Sequence, residues 1–283
     1  MNTSPASPDS PALPQGLIAF VGGGNMASAI IGGLRARGLP ARQLLVVEPV
    51  PAARERLQAQ YSVAGLAAPG PALADASLVV WAVKPQSFAE AAEAAAPFVA
   101  QALQLSVAAG IRSASVARWL GTERIVRTMP NTPALVGQGM TALFARAAVD
   151  ATARAQAEAV LAPTGELMWV EDEAQLDAVT ALSGSGPAYV FYFLEAMREA
   201  GAAMGLSPEQ AYRLAVGTFA GASALARASS EPPEVLRERV TSKGGTTHAA
   251  ISAMEEAGVK AAFERAMHAA HVRARELGDA FGR

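Results

Sequence analysis

Three consecutive glycines near the N terminus have the spacing that accommodates a pyrophosphate. The apolar run Leu17–Val21 leads directly into a G-x-G-x-x-A turn with helical sequence beyond it. In such a turn the first glycine permits a tight bend, and the second leaves room for phosphate against the backbone. The free N–H groups at the helix start then attract the phosphate charge. The alternative is a glycine-rich turn that binds nothing. The motif predicts a dinucleotide site formed by Gly22, Gly23, Gly24, Asn25, Met26 and Ala27.

An acidic residue follows the next apolar run. Glu48 comes directly after Leu44–Val47, at the position from which a carboxylate usually accepts the ribose 2′-OH and disfavours a 2′-phosphate. Arg54 and Arg56 begin the following helical stretch, where they either meet a phosphate or lie in solvent. The sequence therefore predicts Glu48 as a cofactor residue and leaves NADH and NADPH both open.

Further loops leave the carboxyl ends of predicted strands, where ligands bind in open α/β sheets. One follows Leu78–Val83, and another, Val107–Gly110, has small side chains that allow close approach. Ordinary strand-ending turns are the alternative interpretation. The cofactor residues expected from these loops are Ala82, Val83, Lys84, Pro85, Ala109 and Gly110.

A second group of hydrogen-bond donors lies far along the chain. Ser242 to Thr247 combines hydroxyls with two glycines and enters a helical stretch. Such a loop directs several backbone N–H groups toward one point, which suits a carboxylate. The other glycine-rich stretch, Ala181–Tyr189, is better interpreted as a helix-packing or dimer element.

The intervening pattern indicates two domains. Short apolar runs alternate with Ala-rich helical stretches up to about Val170, which predicts an α/β Rossmann domain with a doubly wound, mostly parallel sheet. Beyond it, long segments rich in Ala, Leu, Glu and Arg predict an all-α C-terminal domain, with helical stretches at Leu176–Met204, Pro208–Ala228, Glu234–Arg239 and His248–Arg273. We expect a disordered leader at 1–15, a dinucleotide-binding domain at 16–171 and a helical domain at 172–283.

Composition excludes several classes of protein. The formal net charge of -2 disfavours a nucleic-acid binder, and the absence of cysteine excludes disulfides and thiolate metal sites. No signal peptide or membrane-length apolar run is present, so a cytoplasmic protein is expected. His268 and His271 lie on one helix face, but no nearby acidic motif supports a metal pair.

Five stretches in the same order resemble the pyrroline-5-carboxylate reductase family. They cover nearly the whole chain from Gly16 and are GGGNMASAIIGGL, AVKPQ, RTMPNTPALVGQGMTAL, ALSGSGPAYVF and VTSKGGTTHAAI. The resemblance implies reduction of (S)-1-pyrroline-5-carboxylate, a cyclic imino acid, to L-proline with NADPH or NADH, the last step of proline synthesis. It also implies a C-terminal dimerisation domain, hence a homodimer, and larger rings such as a decamer.

The resemblance also assigns roles to residues. It implies that the substrate carboxylate meets Ser242, Gly245, Thr246 and Thr247, with the Thr247 hydroxyl beside the ring nitrogen, and that Glu173 approaches the substrate. Lys243 stands where the family usually has proline, and it gives the loop a cation in place of a rigid residue. Glu48 stands where members that prefer NADPH often have serine.

The residues available agree with imine reduction. Hydride transfer to a C=N bond requires a proton at nitrogen but no strong base, and a threonine hydroxyl can relay that proton from water. A β-hydroxyacid dehydrogenase, with the same layout, would need Lys243 or Lys260 as its catalytic lysine. A non-catalytic dinucleotide-binding module is the third alternative.

Overall fold

A computed structural model describes residues 12–281 of the chain. Its first part is an eight-stranded sheet with helices between the strands. The strands are β1 (Leu17–Val21), β2 (Leu44–Val47), β3 (Ala64–Leu66), β4 (Ala76–Trp81), β5 (Leu103–Ser106), β6 (Ile125–Met129), β7 (Gly139–Ala145) and β8 (Gly165–Trp169). The helices of this part are α1 (Asn25–Ala36), α2 (Pro51–Tyr61), α3 (Phe88–Val99), α4 (Ser113–Leu120), α5 (Ala151–Leu161) and α6 (Gln175–Val179).

The strand order is β3-β2-β1-β4-β5-β6-β7-β8. Neighbouring strands are parallel except β6 and β7, so β7 and β8 run against the first six. The first six strands have the order of a doubly wound dinucleotide-binding sheet. Because β1 pairs with both β2 and β4, the chain reverses its winding there, and a ligand crevice is expected at the carboxyl ends of these strands. The predicted α/β class and mostly parallel sheet are confirmed.

Both faces of the sheet are buried. Ile18 and Phe20 pack with Ile30 and Leu34 of α1 on one face. Ala19, Val21 and Trp81 pack with Phe88 of α3 on the other. Strands that are covered on both sides need continuous apolar sequence, and this is why these runs could be recognised in the sequence.

The remaining helices are α7 (Gly186–Ala203), α8 (Pro208–Ala228), α9 (Pro233–Arg239), α10 (Thr246–Glu256) and α11 (Val259–Phe281). At the start of α8, Ser207 and Gln210 form a capping box, and Pro208 lies in the first turn. Backbone and Ser207 hydrogen bonds lower the pKa of Glu209 from its ordinary value. In the described part of the chain, no helix is long and apolar enough to cross a bilayer.

Contacts divide the chain into two compact units. The first unit comprises the residues up to Ser185 together with the C-terminal residues from Ala270 onward. The second unit is Gly186–Ala269. The boundary predicted near residue 171 lies before both the short helix α6 and the division at Ser185.

Three expectations about local structure need correction. The helical stretch expected at Leu176–Met204 is interrupted by a π-helical turn, Thr180–Gly184. The one expected at His248–Arg273 is two helices, because Gly258, at a φ of +65°, separates α10 from α11. Residues 1–11 of the expected leader lie outside the described residues, but Leu13 packs against the core and Pro14 is buried, so packing begins before Gly16.

Candidate functional site

The turn after β1 can be made only by glycine. Gly22 has a φ of +99°, and a Cβ built on it would lie 2.5 Å from the carbonyl oxygen of Ala82. Its N–H donates to the carbonyl of Val47 at 2.8 Å, and the N–H of Ala82 donates to the carbonyl of Val21 at 2.8 Å. The turn is therefore fixed between the ends of β2 and β4, at the place where the winding reverses.

The next residues leave room for a phosphate. A Cβ on Gly24 would meet no atom within 4 Å, so the backbone is accessible on that side. Gly24 is the N-cap of α1 and has no side-chain cap, and Ala27 is completely buried against the sheet. The first N–H groups of α1, starting at Asn25, have no partners within the helix, and the helix dipole makes this end attractive to an anion.

A cleft of about 520 Å³ opens at this position. Among the predicted cofactor residues its walls include Gly22, Gly24, Glu48, Ala82, Val83 and Lys84. Five more of the predicted residues are next to these in the chain: Gly23, Asn25, Met26, Ala27 and Pro85. The last two, Ala109 and Gly110, lie on the loop after β5, which pairs with β4. The cleft is also lined by residues that the sequence analysis did not assign to the site, chiefly Val50, Ala67, Ala68 and Pro69. These short apolar side chains form a slot of the kind that suits a planar purine.

Glu48 is held by the backbone on both sides. One carboxylate oxygen accepts the N–H of Gly23 at 2.8 Å, and the other accepts the N–H of Val50 at 2.9 Å. Arg54 donates to the carbonyls of Glu48 and Pro49, at 2.6 and 2.9 Å, and Arg56 donates to the carbonyl of Gly23 at 3.2 Å. The end of β2 is thus a carboxylate fixed against the glycine turn.

The hydroxyl-rich loop belongs to the second unit. Gly245 is the N-cap of α10, and its N–H donates to the carbonyl of Ser242 at 3.0 Å. Gly244 has a φ of +75°, which reverses the chain into the helix. Thr246 and Thr247 therefore occupy the first turn of α10, where backbone N–H groups lack partners within the helix. Ser242, Lys243 and Thr246 are exposed, and Thr247 is half-buried. This arrangement offers hydroxyls and N–H groups to a carboxylate.

Glu173 lies in the first unit, inside a group of charges. Its carboxylate accepts the N–H and the hydroxyl of Ser113, both at 2.6 Å, and a guanidinium N–H of Arg127 at 2.9 Å. Asp177 lies 3.9 Å from Arg127 and 3.6 Å from Arg112. The side chains of Arg127 and Asp177 are 3% and 4% exposed. Neither residue was predicted from the sequence, although an arginine inside the otherwise apolar strand β6 was the available signal.

Asn131 connects two of the glycine- and proline-rich stretches. Its side-chain amide donates to the carbonyl of Ser183 at 3.1 Å and accepts the N–H of Met140 at 2.9 Å. Ser183 lies in the π-helical turn, whose widened backbone leaves carbonyls available for such contacts. The MPNTP loop and the SGSG stretch thus meet through one side chain.

The sheet order, the glycine turn and the anchored carboxylate define a dinucleotide-binding oxidoreductase fold. Residues 17–110 match a model described as NADP oxidoreductase coenzyme F420-dependent. Residues 173–277 match one described as pyrroline-5-carboxylate reductase dimerisation. The chain belongs to the pyrroline-5-carboxylate reductase family.

Individual relatives support this membership. The chain is 46% identical to a pyrroline-5-carboxylate reductase of Pseudomonas aeruginosa, over 94% of this chain and 98% of that protein. It is 41% identical to the Haemophilus influenzae protein of the same name, with 94% and 98% covered. A pyrroline-5-carboxylate reductase structure from Coxiella burnetii has a TM-score of 0.86 at 36% identity, with 93% and 98% covered. A Plasmodium falciparum pyrroline carboxylate reductase structure with NADP bound has a TM-score of 0.85 at 26% identity, with 94% and 100% covered.

Proposed function

We propose that this chain reduces (S)-1-pyrroline-5-carboxylate to L-proline with NADH or NADPH, the final step of proline biosynthesis. The observation that carries the proposal is the loop Ser242–Thr247, whose hydroxyls and free N–H groups stand at the start of α10 in a chain of this family. A β-hydroxyacid dehydrogenase would need Lys243 or Lys260 as its acid–base group. Both are exposed, and neither has the context of a catalytic lysine.

The cofactor residues fit a nicotinamide dinucleotide. Gly22 and Gly24 form a turn that leaves the backbone open to a pyrophosphate, and the start of α1 supplies N–H groups to it. Ala82, Val83 and Lys84 line the same cleft, and Pro85 follows them in the chain. Ala109 and Gly110 lie on the loop after β5, the strand next to β4. When bound, the reduced dinucleotide supplies the hydride.

In this proposal the chain orients the substrate and holds one proton. Ser242, Gly245, Thr246 and Thr247 bind the carboxylate, and the Thr247 hydroxyl donates to the ring nitrogen. As a hydride reaches the imine carbon, the C=N π electrons move to nitrogen, which takes a proton through Thr247 from water. Glu173 was also expected near the substrate, but its two oxygens already accept three hydrogen bonds. We therefore assign it a positioning role.

Initial-rate kinetics with pyrroline-5-carboxylate test the activity, with 3-hydroxyacids as competing substrates. Thr247→Ala is expected to lower kcat by roughly 100-fold, in the range of general acid catalysis, while the Kd for the cofactor stays within about twofold. Thr247→Ser, which keeps the hydroxyl, is the matched control and is expected to retain most of the activity. Cofactor binding without turnover of any imine would favour the non-catalytic module instead.

We also infer a homodimer that assembles through the second unit, and a larger ring such as a decamer. The second unit exposes large apolar side chains, among them Phe191 at 58%, Tyr192 at 70% and Leu225 at 68%. Exposed apolar area of this kind is typical of a protein interface. Light scattering coupled to gel filtration tests this assembly, and a measured mass of one chain would contradict it.

We further propose that the enzyme is located in the cytoplasm. Cell fractionation followed by detection of the protein tests this location.

A further inference from the structure

We propose that Glu48 makes this chain select NADH over NADPH, because its carboxylate is fixed where the adenosine ribose would bind and the two arginines at the start of α2, Arg54 and Arg56, are already hydrogen-bonded to backbone carbonyls. The inference rests on the proposed function only in taking the cleft beside Gly22 as the cofactor site. It goes further by naming which of the two dinucleotides is used.

The carboxylate of Glu48 is fixed in place by the protein backbone. Gly23 and Val50, on either side of the end of β2, each donate one N–H to a different carboxylate oxygen, at 2.8 and 2.9 Å. Because each carboxylate oxygen has two lone pairs, one position remains on each for an incoming donor. A ribose with free 2′- and 3′-hydroxyls supplies such donors. A 2′-phosphate brings negative charge to the same place, where it repels the carboxylate.

The two nearby arginines are already engaged. Arg54 donates to the carbonyls of Glu48 and Pro49. Its methylene groups lie 3.1 Å from the position of a Cβ on Gly65, so the stem packs on the edge strand β3. Arg56 donates to the carbonyl of Gly23. Both guanidinium groups therefore tie the ends of β1 and β2 to helix α2. To bind a 2′-phosphate, either one would have to give up these bonds.

The remaining charges of the cleft agree with this selectivity. Its charged lining residues within the described chain are Glu48, Glu90 and Lys84. Lys84 follows β4, which lies two strand spacings, roughly 10 Å, from β2 and on the other side of the glycine turn. The slot beside Glu48 is formed by Val50, Ala67, Ala68 and Pro69, which provide no cation for a phosphate.

The test measures binding of each dinucleotide alone, without imine. Titration of the full-length protein with NADH and with NADPH, followed by the fluorescence of the bound cofactor, gives two dissociation constants. We expect NADH to bind at least about tenfold more tightly, the ratio that corresponds to one charge-assisted hydrogen bond. In Glu48→Ser and Glu48→Gln the ratio of the two constants is expected to move to near one or to reverse.

The ratio of the two dissociation constants distinguishes a change in cofactor selectivity from a merely structural effect. Because Glu48 also holds Gly23, its replacement can weaken both cofactors, but loss of the turn alone would change both constants by the same factor. Glu55→Gln is the matched control, since Glu55 is an exposed residue of α2 outside the cleft lining, and it removes the same charge. It is expected to leave the ratio unchanged.

Three results would overturn the proposal: a wild-type ratio near one, a preference for NADPH, or an unchanged ratio in both Glu48 variants. A selective loss of NADPH binding in Arg56→Gln would also contradict it, since it would show Arg56 receiving the phosphate. None of these results depends on pyrroline-5-carboxylate turnover. A failure of the proposed activity with an intact NADH preference would therefore be distinguishable.

Discussion

Replacing Glu173 with glutamine distinguishes a structural carboxylate from a substrate-binding one. The carboxylate accepts three hydrogen bonds, two from Ser113 and one from Arg127. The Arg127 side chain is 3% exposed, and among residues 12–281 it would keep only Asp177, at 3.9 Å, as an acidic neighbour. Removing one partner of a buried ion pair costs about 3–5 kcal/mol. Because Glu173 is 19% exposed, we expect about 3 kcal/mol, at the lower end of that range.

Thermal and urea unfolding at one fixed protein concentration measure this loss, since assembly makes the apparent stability depend on concentration. A loss of this size corresponds to a fall in Tm of roughly 6–12 °C for a chain of this size class. The control is Glu171→Gln, which removes the same charge from an exposed position two residues earlier and is expected to leave Tm nearly unchanged. Replacing Arg127 and Glu173 together by leucine is expected to cost less than the sum of the single leucine replacements, because no unpaired buried charge remains.

Kinetics then decide between the two roles. A positioning residue should leave the KM for pyrroline-5-carboxylate within about twofold when Glu173→Gln is assayed well below its Tm. If Tm stays at the wild-type value and KM rises tenfold or more, the carboxylate contacts the substrate, and the structural assignment is wrong. The two results differ in both measurements, so a variant that is merely less stable cannot be taken for one that has lost a substrate contact.

The remaining predictions concern glycines whose surroundings differ. Gly22→Ala should lower Tm and abolish cofactor binding, because a Cβ there would lie 2.5 Å from the Ala82 carbonyl at a φ of +99°; unchanged stability would contradict this turn geometry. Gly24→Ala should leave Tm within about 2 °C, since its Cβ meets no atom within 4 Å, yet weaken dinucleotide binding by roughly tenfold or more by filling the space for the pyrophosphate. Undiminished binding would mean that the phosphates lie elsewhere. Gly70→Ala, which is equally open but outside the cleft lining, is the control for both.

Local sequence patterns predicted the strands and helices whose hydrophobic pattern or composition can be recognised within one contiguous segment. The runs that became β1 and β2 are continuous and apolar, and α8 has the bounds that its composition predicted, Pro208–Ala228. Strand β3 has only three residues, Ala64–Leu66, too few for any periodicity. Strand β7 follows a proline-rich loop and contains a glycine, and its antiparallel pairing with β6 is a tertiary contact that no local pattern specifies.

The charged residues around Arg127 could not be predicted as a group from the sequence, for the same reason. Ser113, Arg127 and Glu173 are separated by many residues in the sequence, and only the folded sheet brings them together. Resemblance assigned Glu173 to the substrate because motif matching transfers a role without its hydrogen-bond partners. Geometry instead provides those partners and leaves the carboxylate little capacity for another ligand. A buried arginine in an apolar strand requires such a counter-charge, so the sequence does indicate that partners exist without saying which residues they are.

Both candidate binding sites depend mainly on backbone N–H groups, at the start of α1 and at the start of α10. A backbone donor cannot be deleted by changing its own side chain; it can only be redirected by changing the local conformation. The positions most sensitive to substitution are therefore the glycines that set that conformation, such as Gly22 and Gly244, and the side chains that hold it, such as Glu48. This explains why the glycine motifs could be found from sequence alone. The anchoring of Glu48 by Gly23 and Val50, on which the proposed cofactor selection depends, became visible only in the structure.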